Sequence, residues 1–244
     1  MKVFLHGVPE TAAIWDGVRS RVDGDSVALS LPGFGCPRPA GFASTKDEYV
    51  AWVLEELDAI GEPVDLVGHD WGAGLTYRLA TAHGDRLRSW VADVGNIAHP
   101  DYEWHDFALL WQTPGEGEAF FEGQLATPVE QVAAGYEAMG VPPVHAREMA
   151  GAAEEEMAAS ILALYRSALP NPHADWGPWT PTSAPGLVLH VAGDPFSDEA
   201  MAREVAGQLG ARVEVLGGSG HFWPYEAPEA GAELLQRFWA SLDG

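Results

Sequence analysis

Cationic side chains are scarce in this chain. Lysine and arginine total 13, with Lys2 and Lys46 the only lysines, against 36 acidic residues and a formal net charge of −23. Such a balance repels phosphate, which excludes nucleic acid and an anionic membrane as partners. Cysteine is almost missing as well. Cys36 alone excludes an internal disulfide and a cysteine-based metal site, and it fits a reducing compartment. No apolar run is long enough to span a bilayer, and Met1 leads straight into a strand-like segment without a signal peptide. The expected location is therefore cytoplasmic. Repeats, low-complexity segments and an independent linker are lacking too, and nothing calls for a metal or cofactor. What remains is an ordinary globular composition, 47% hydrophobic with a mean hydropathy of −0.08. Its 244 residues suffice for one α/β domain with an insertion and a large core.

The rest of the chain is organised around Leu66-Val67-Gly68-His69-Asp70-Trp71-Gly72-Ala73-Gly74. The apolar run from Val64 to Val67 predicts a buried strand. Gly72 and Gly74 allow a sharp turn into a helix over 75–82. Strand, turn and helix around G-x-nucleophile-x-G form a nucleophile elbow, which holds one side chain up at the top of a sheet. The residue at the apex is Asp70. An apex serine would attack acyl carbons after a histidine takes its proton. An apex carboxylate is already ionised at neutral pH and attacks a saturated carbon bearing a leaving group. The blander alternative is an ordinary turn with Asp70 as a helix cap.

Strand patterns recur at Val3-Phe4-Leu5, 26–31, 87–94, 187–192 and 212–216. Helical patterns separate them at 11–21, 45–60, 198–209 and 227–242. In the second of these helices Tyr49, Trp52, Val53, Leu57 and Ile60 recur at the spacing of one apolar face, and Thr45 with Glu48 forms a capping box. Residues 97–183 carry no clear buried strand. They predict a helical insertion, with helices near 104–111, 117–125, 128–139 and 146–169. The alternation predicts an α/β fold, a doubly wound and mainly parallel sheet with a helical cap: residues 1–96 and 184–244 form the core, 97–183 the cap. Ligands in such sheets bind at the carboxyl ends of the strands. His6, Asp70, Asp194 and His221 all follow strand ends. Gly217-Gly218-Ser219-Gly220 lets a tight loop carry His221 back towards the elbow, and the order nucleophile, acid, histidine is that of an α/β-hydrolase triad.

On these motifs (His6-Gly7-Val8-Pro9, the Gly68-to-Gly74 elbow, Gly193-Asp194-Pro195 and Gly220-His221-Phe222) the chain resembles the aspartate-nucleophile branch of the α/β-hydrolases, which holds epoxide hydrolases and haloalkane dehalogenases. The resemblance implies that the backbone N–H groups of Val8 and Trp71 form an oxyanion hole, that the peptide before Pro9 is cis, and that residues 97–183 are the family's cap. It also implies a sheet of about six strands, short of the family's first two, which leaves the 26–31 strand as an edge that must be covered or paired. Asp194 is the favoured triad acid. Asp198 is the alternative, though it is well placed to cap the following helix.

The branch divides by leaving group. Epoxide opening needs an acid on the departing oxygen, which family members supply from two cap tyrosines. Leu164-Tyr165-Arg166 resembles the segment carrying one of them. The position matching the other, before Gln112-Thr113-Pro114-Gly115, is Phe107, with Tyr102 and Tyr136 as substitutes. Halide release needs N–H donors instead, for which Trp71 and a cap tryptophan, Trp104 or Trp111, are candidates. The expected function is epoxide hydrolysis, with Asp70 as nucleophile, His221 as base, Asp194 as its orienting acid and Tyr165 as proton donor. His6, Phe107, Trp104, Trp111 and Phe222 are expected to line the pocket. A small apolar organic molecule is the expected substrate and the protein is expected to be a monomer or homodimer. Haloalkane dehalogenation with the same triad is the alternative, and a ligand-binding protein on a hydrolase scaffold is the alternative of another class.

Overall fold

The protein is described by a computed structural model over residues 1–177 and 179–242. Asp243 and Gly244, which the sequence assigns to the core, lie outside the described residues. Strand β1 (Lys2–Leu5) is followed by a short helical turn and β2 (Ser26–Leu29). Then come α1 (Lys46–Ile60), β3 (Val64–Gly68), α2 (Trp71–Ala82) and β4 (Leu87–Ala92). Between β4 and the next strand lie α3 (Asp106–Gln112), α4 (Glu116–Ala126), α5 (Val129–Ala138), α6 (Pro143–Ala152) and α7 (Glu155–Arg166). Strand β5 (Gly186–Val191), α8 (Glu199–Leu209), β6 (Arg212–Leu216) and α9 (Pro228–Ala240) complete the chain.

The six strands form one parallel sheet in the order β2-β1-β3-β4-β5-β6. Successive strand residues point to opposite faces, so each strand feeds two cores. Val3, Leu5, Leu66, Trp90 and Val188 pack on one face with α1, α2 and α8. Phe4, Val67, Val91, Leu187 and Leu189 pack on the other with Trp15, Val18 and α9. Helix α1 starts at the expected capping box, in which the Thr45 hydroxyl accepts from Glu48 N–H and the Glu48 carboxylate from Thr45 N–H. Of its apolar face Tyr49, Val53 and Leu57 are buried, while Trp52 and Ile60 are half-covered.

Two expectations are corrected. The single helix over 146–169 is two helices, because Ala153 and Glu154 adopt extended backbone angles. Glu155 and Glu156 then occupy the first turn of α7, where negative charge suits a helix N-terminus. The elbow helix begins at Trp71 rather than residue 75, directly after the apex.

The edge strand β2 is managed by charge. The Arg19 guanidinium donates to the Ser26 carbonyl at 2.9 Å and to its hydroxyl at 3.3 Å, blocking backbone that another strand could pair with. Lys46 ties the far end of the insertion to the core. Its buried ammonium meets Asp175 at 2.9 Å and lies over the Trp176 ring, whose N–H donates to Asp47.

Candidate active site

Strand order reverses between β1 and β3, the neighbouring strands from which the chain leaves in opposite directions, and this is where a parallel sheet opens a ligand crevice. The elbow stands there. Its turn is so tight that a Cβ on Gly72 would lie 2.3 Å from the Leu5 carbonyl oxygen, and one on Gly68 2.2 Å from that of Gly72. Asp70 takes φ 54° and ψ −118°, a strained conformation for a residue other than glycine and one that costs about 1–3 kcal/mol. Its carboxylate crosses the switch point: Oδ1 accepts the backbone N–H of Val8 at 2.8 Å. The Val8–Pro9 peptide is cis, as the resemblance implied, and so is Leu169–Pro170.

His221 reaches the other side of this carboxylate, its Nε2 lying 3.8 Å from Asp70 Oδ2. That is beyond a hydrogen bond and leaves Nε2 uncommitted. Its Nδ1 meets Asp194 Oδ2 at 3.0 Å, while Asp194 Oδ1 accepts the N–H of Phe196. Asp198 takes the part that its position suggested, capping α8 by accepting from Met201 N–H. Burial disfavours charge on His221, yet the adjacent Asp194 carboxylate outweighs it and raises the imidazole above its ordinary value. Burial likewise works against the Asp194 carboxylate, but His221 pulls it below the usual range. Asp70 is pushed up to about 6, mainly by burial, against the opposing pull of His221.

A second buried network lies beneath Asp70. His69 has no exposed surface, and both of its ring nitrogens face carboxylates: Nδ1 meets Asp93 at 2.6 Å and Nε2 meets Glu10 at 3.1 Å. Burial alone would lower its pKa, but the two carboxylates raise it well above the ordinary histidine value, which favours the imidazolium. Glu10 also accepts the Gly7 N–H, and Asp93 accepts the N–H groups of Asp70 and the Trp223 indole. The network thus fixes the loop carrying Val8 and the apex of the elbow together. Ligand-type atoms of Glu10, His69 and His221 lie within 4.8 Å of one another, but both His69 nitrogens are hydrogen-bond donors here, which suits an ion pair rather than a metal.

Above Asp70 is a cavity of about 260 Å³ with aromatic walls. Val8, Asp70, Tyr165, His221, Phe107, Trp111 and Phe222 line it, as does His105, which the sequence reading did not single out. His6 and Trp104 do not line it. His6 is wholly buried, with Nε2 accepting from Leu31 N–H and Nδ1 donating to the Gly7 carbonyl. Trp104 donates its indole N–H to the Ala168 carbonyl and stacks on Trp71. Trp71 likewise lies behind the wall, its ring edge-on to Tyr165. The indole N–H of Trp111 is buried without an acceptor, while Trp71 interacts with the Tyr165 hydroxyl. Burial pushes the Tyr165 phenol well above 10, with the Asp70 carboxylate adding to the effect, so its hydroxyl is a proton donor. Of the substitute tyrosines, Tyr136 lines the cavity and Tyr102 does not. Among the described residues no helix is long and apolar enough to cross a membrane.

The family described as "Alpha/beta hydrolase family" matches residues 3–234. A haloalkane dehalogenase of Sphingobium indicum is 28% identical over 224 residues, covering 85% of this chain and 67% of that protein. Epoxide hydrolase 3 of Xenopus tropicalis is 33% identical over 117 residues, covering 45% of this chain and 30% of that protein. Over the first three curated relatives the match spans between 30% and 67% of their length. Among solved structures, the haloalkane dehalogenase DbeA of Bradyrhizobium elkani has a TM-score of 0.75 at 22% identity, covering 99% of this chain and 90% of that one, a likeness of fold.

Proposed function

The chain belongs to the alpha/beta hydrolase family, and from that premise we propose that it opens epoxides to diols through a covalent ester on Asp70. One carboxylate oxygen of Asp70 attacks the less hindered ring carbon. The C–O bond breaks towards oxygen, which takes the Tyr165 proton. Water activated by His221, itself oriented by Asp194, then attacks the ester carbonyl, and the N–H groups of Val8 and Trp71 hold the oxyanion. Hydrolysis restores the Asp70 carboxylate, and the surplus proton returns to Tyr165.

The observation that carries this reading is the Tyr165 hydroxyl, a buried phenol facing the same cavity as Asp70 and held protonated far above neutral pH. A second reading, haloalkane dehalogenation, is favoured by the unpaired indole N–H of Trp111, which lines the cavity and suits a departing halide. Trp104 does not contribute to it, since its N–H is already taken. Relatives named for both activities are consistent with either leaving group. The complete triad favours turnover over a purely ligand-binding role.

The test compares diol formation from styrene oxide with bromide release from 1-bromobutane. Tyr165→Phe should slow ring opening by roughly 10²–10⁴ and leave bromide release unchanged, because bromide departs without protonation. Bromide release from the unmodified protein that far exceeds diol formation would reverse the ranking of the two readings.

The pH dependence of the first half-reaction follows from Asp70. Attack requires the ionised carboxylate, so ester formation should be constant above pH 7 and fall as pH drops through about 6. Single-turnover alkylation rates across pH 5–8 (spanning that value) measure this. A limb at the ordinary aspartate value, near 4, would mean that the nucleophile is not desolvated.

A further inference from the structure

The cavity wall carries a polar pair apart from the reacting groups. Gln124, on α4, and Tyr136, on α5, both line it, and the Gln124 side-chain amide donates to the Tyr136 hydroxyl at 3.4 Å. Tyr136 is buried, and its ring stands edge-on to that of Phe222, the neighbour of His221, at 6.4 Å. Burial pushes the phenol up to about 12, so it keeps its proton at neutral pH. The amide brings two donor hydrogens and the phenol one, and their mutual contact uses one of the three. Among the described residues neither side chain makes a further hydrogen bond, which leaves two donor hydrogens for a ligand. No described lysine or arginine lines the cavity.

We infer that Gln124 and Tyr136 form a subsite for an uncharged acceptor oxygen, ether or carbonyl, on the substituent of the epoxide. The inference rests on the epoxide reading above and narrows its substrate class to neutral epoxides with an oxygen-bearing side chain. Aromatic walls hold a hydrocarbon chain by burial alone, which has no direction. Two donors on such a wall add direction. A substrate oxygen that displaces water there keeps the hydrogen bonds, whereas a methylene in the same place leaves the donors without a partner. A carboxylate does not fit, because it would enter an apolar cavity with no cation to meet it, in a chain of net charge −23. The pair takes no part in bond breaking. Tyr165 protonates the ring oxygen from α7, while Gln124 and Tyr136 hold the substituent from α4 and α5. Their contribution is therefore equal in the ground state and the transition state.

Butyl glycidyl ether and 1,2-epoxyoctane isolate the effect, because their chains are equally long and differ only in an oxygen for one methylene. Diol formation gives kcat and KM for each. In Tyr136→Phe the KM for the ether should rise about 3–10-fold, the worth of one neutral hydrogen bond, with kcat unchanged. The KM for 1,2-epoxyoctane should stay level or fall. Gln124→Leu probes the same subsite from the other helix and should change the two substrates in the same sense. An equal rise in KM for both epoxides would mark the pair as packing and overturn the inference. So would a fall in kcat for both, which would make Tyr136 a proton donor instead of part of a subsite. Epoxides that are opened with constants untouched by either substitution would remove the subsite alone and leave the epoxide reading standing. An unmodified protein that opens neither epoxide would remove the epoxide reading and this inference with it.

Discussion

His221→Gln is expected to halt turnover with the substrate still attached to Asp70. The two half-reactions make different demands on the imidazole. Attack needs only an ionised carboxylate, and Asp70, with Oδ1 held by Val8 N–H and Oδ2 3.8 Å from His221, is already anionic at pH 7–8. Hydrolysis of the resulting ester needs a base for water, and among the described residues His221 is the one imidazole placed against that carboxylate with an acidic partner behind it. Loss of a base of this kind costs about 10⁴-fold or more in the step it serves. Incubation with styrene oxide should therefore give one stable adduct per chain, seen by mass spectrometry as a stoichiometric gain of the epoxide mass and mapped to the peptide holding Asp70. A variant that binds substrate yet never gains that mass would remove the covalent mechanism.

The other large effect concerns stability. His69→Phe keeps an aromatic ring of similar size but strands Glu10 and Asp93, two buried carboxylates that share the imidazolium. Removing one partner from a buried ionic cluster costs about 3–5 kcal/mol, because the remaining charge has no compensation. The pH dependence has a definite sign. The folded pKa of His69 is raised, so its contribution is fully present below about 6.5 and is lost as pH rises through the folded value. Glu10 is pulled below its ordinary value because His69 outweighs burial, so its contribution is present above about 4.5 and is lost as pH falls through the folded value. The gap between the unmodified protein and His69→Phe is thus widest between about pH 4.5 and 6.5. Urea unfolding at pH 6 (inside that window) measures it, and a difference under about 1 kcal/mol, the worth of an ordinary surface change, would contradict a charged His69.

Much of the candidate site is legible in the sequence. Glycine spacing around Asp70, strand-end positions for Asp194 and His221, and the sole-cap geometry of Asp198 are local patterns, and local patterns survive folding. The sheet is equally readable, because buried parallel strands announce themselves as apolar runs. The second network is not. Asp93 reads as the interior of a strand over 87–94, whereas β4 ends at Ala92 and Val94 turns to φ 44°. His69 and Glu10 are 59 residues apart and meet only through the β1–β3 pairing. His105 is hidden for a related reason. A helix drawn from residue 104 buries it in a regular turn, while the observed start at Asp106 makes it a cap with a defined tautomer. His6 shows the converse. It sits at a strand end like the reacting residues, but both of its nitrogens are consumed by backbone groups.

The positive φ at Asp70 sets selection for activity against selection for robustness. Glycine at that position would relieve the torsional penalty and remove a desolvated carboxylate, so a stabilising change there is also one that erases the proposed nucleophile. A descendant released from the need to turn over substrate has a downhill route at this codon. Retention of aspartate at a strained position is what continued use of the proposed nucleophile would leave behind.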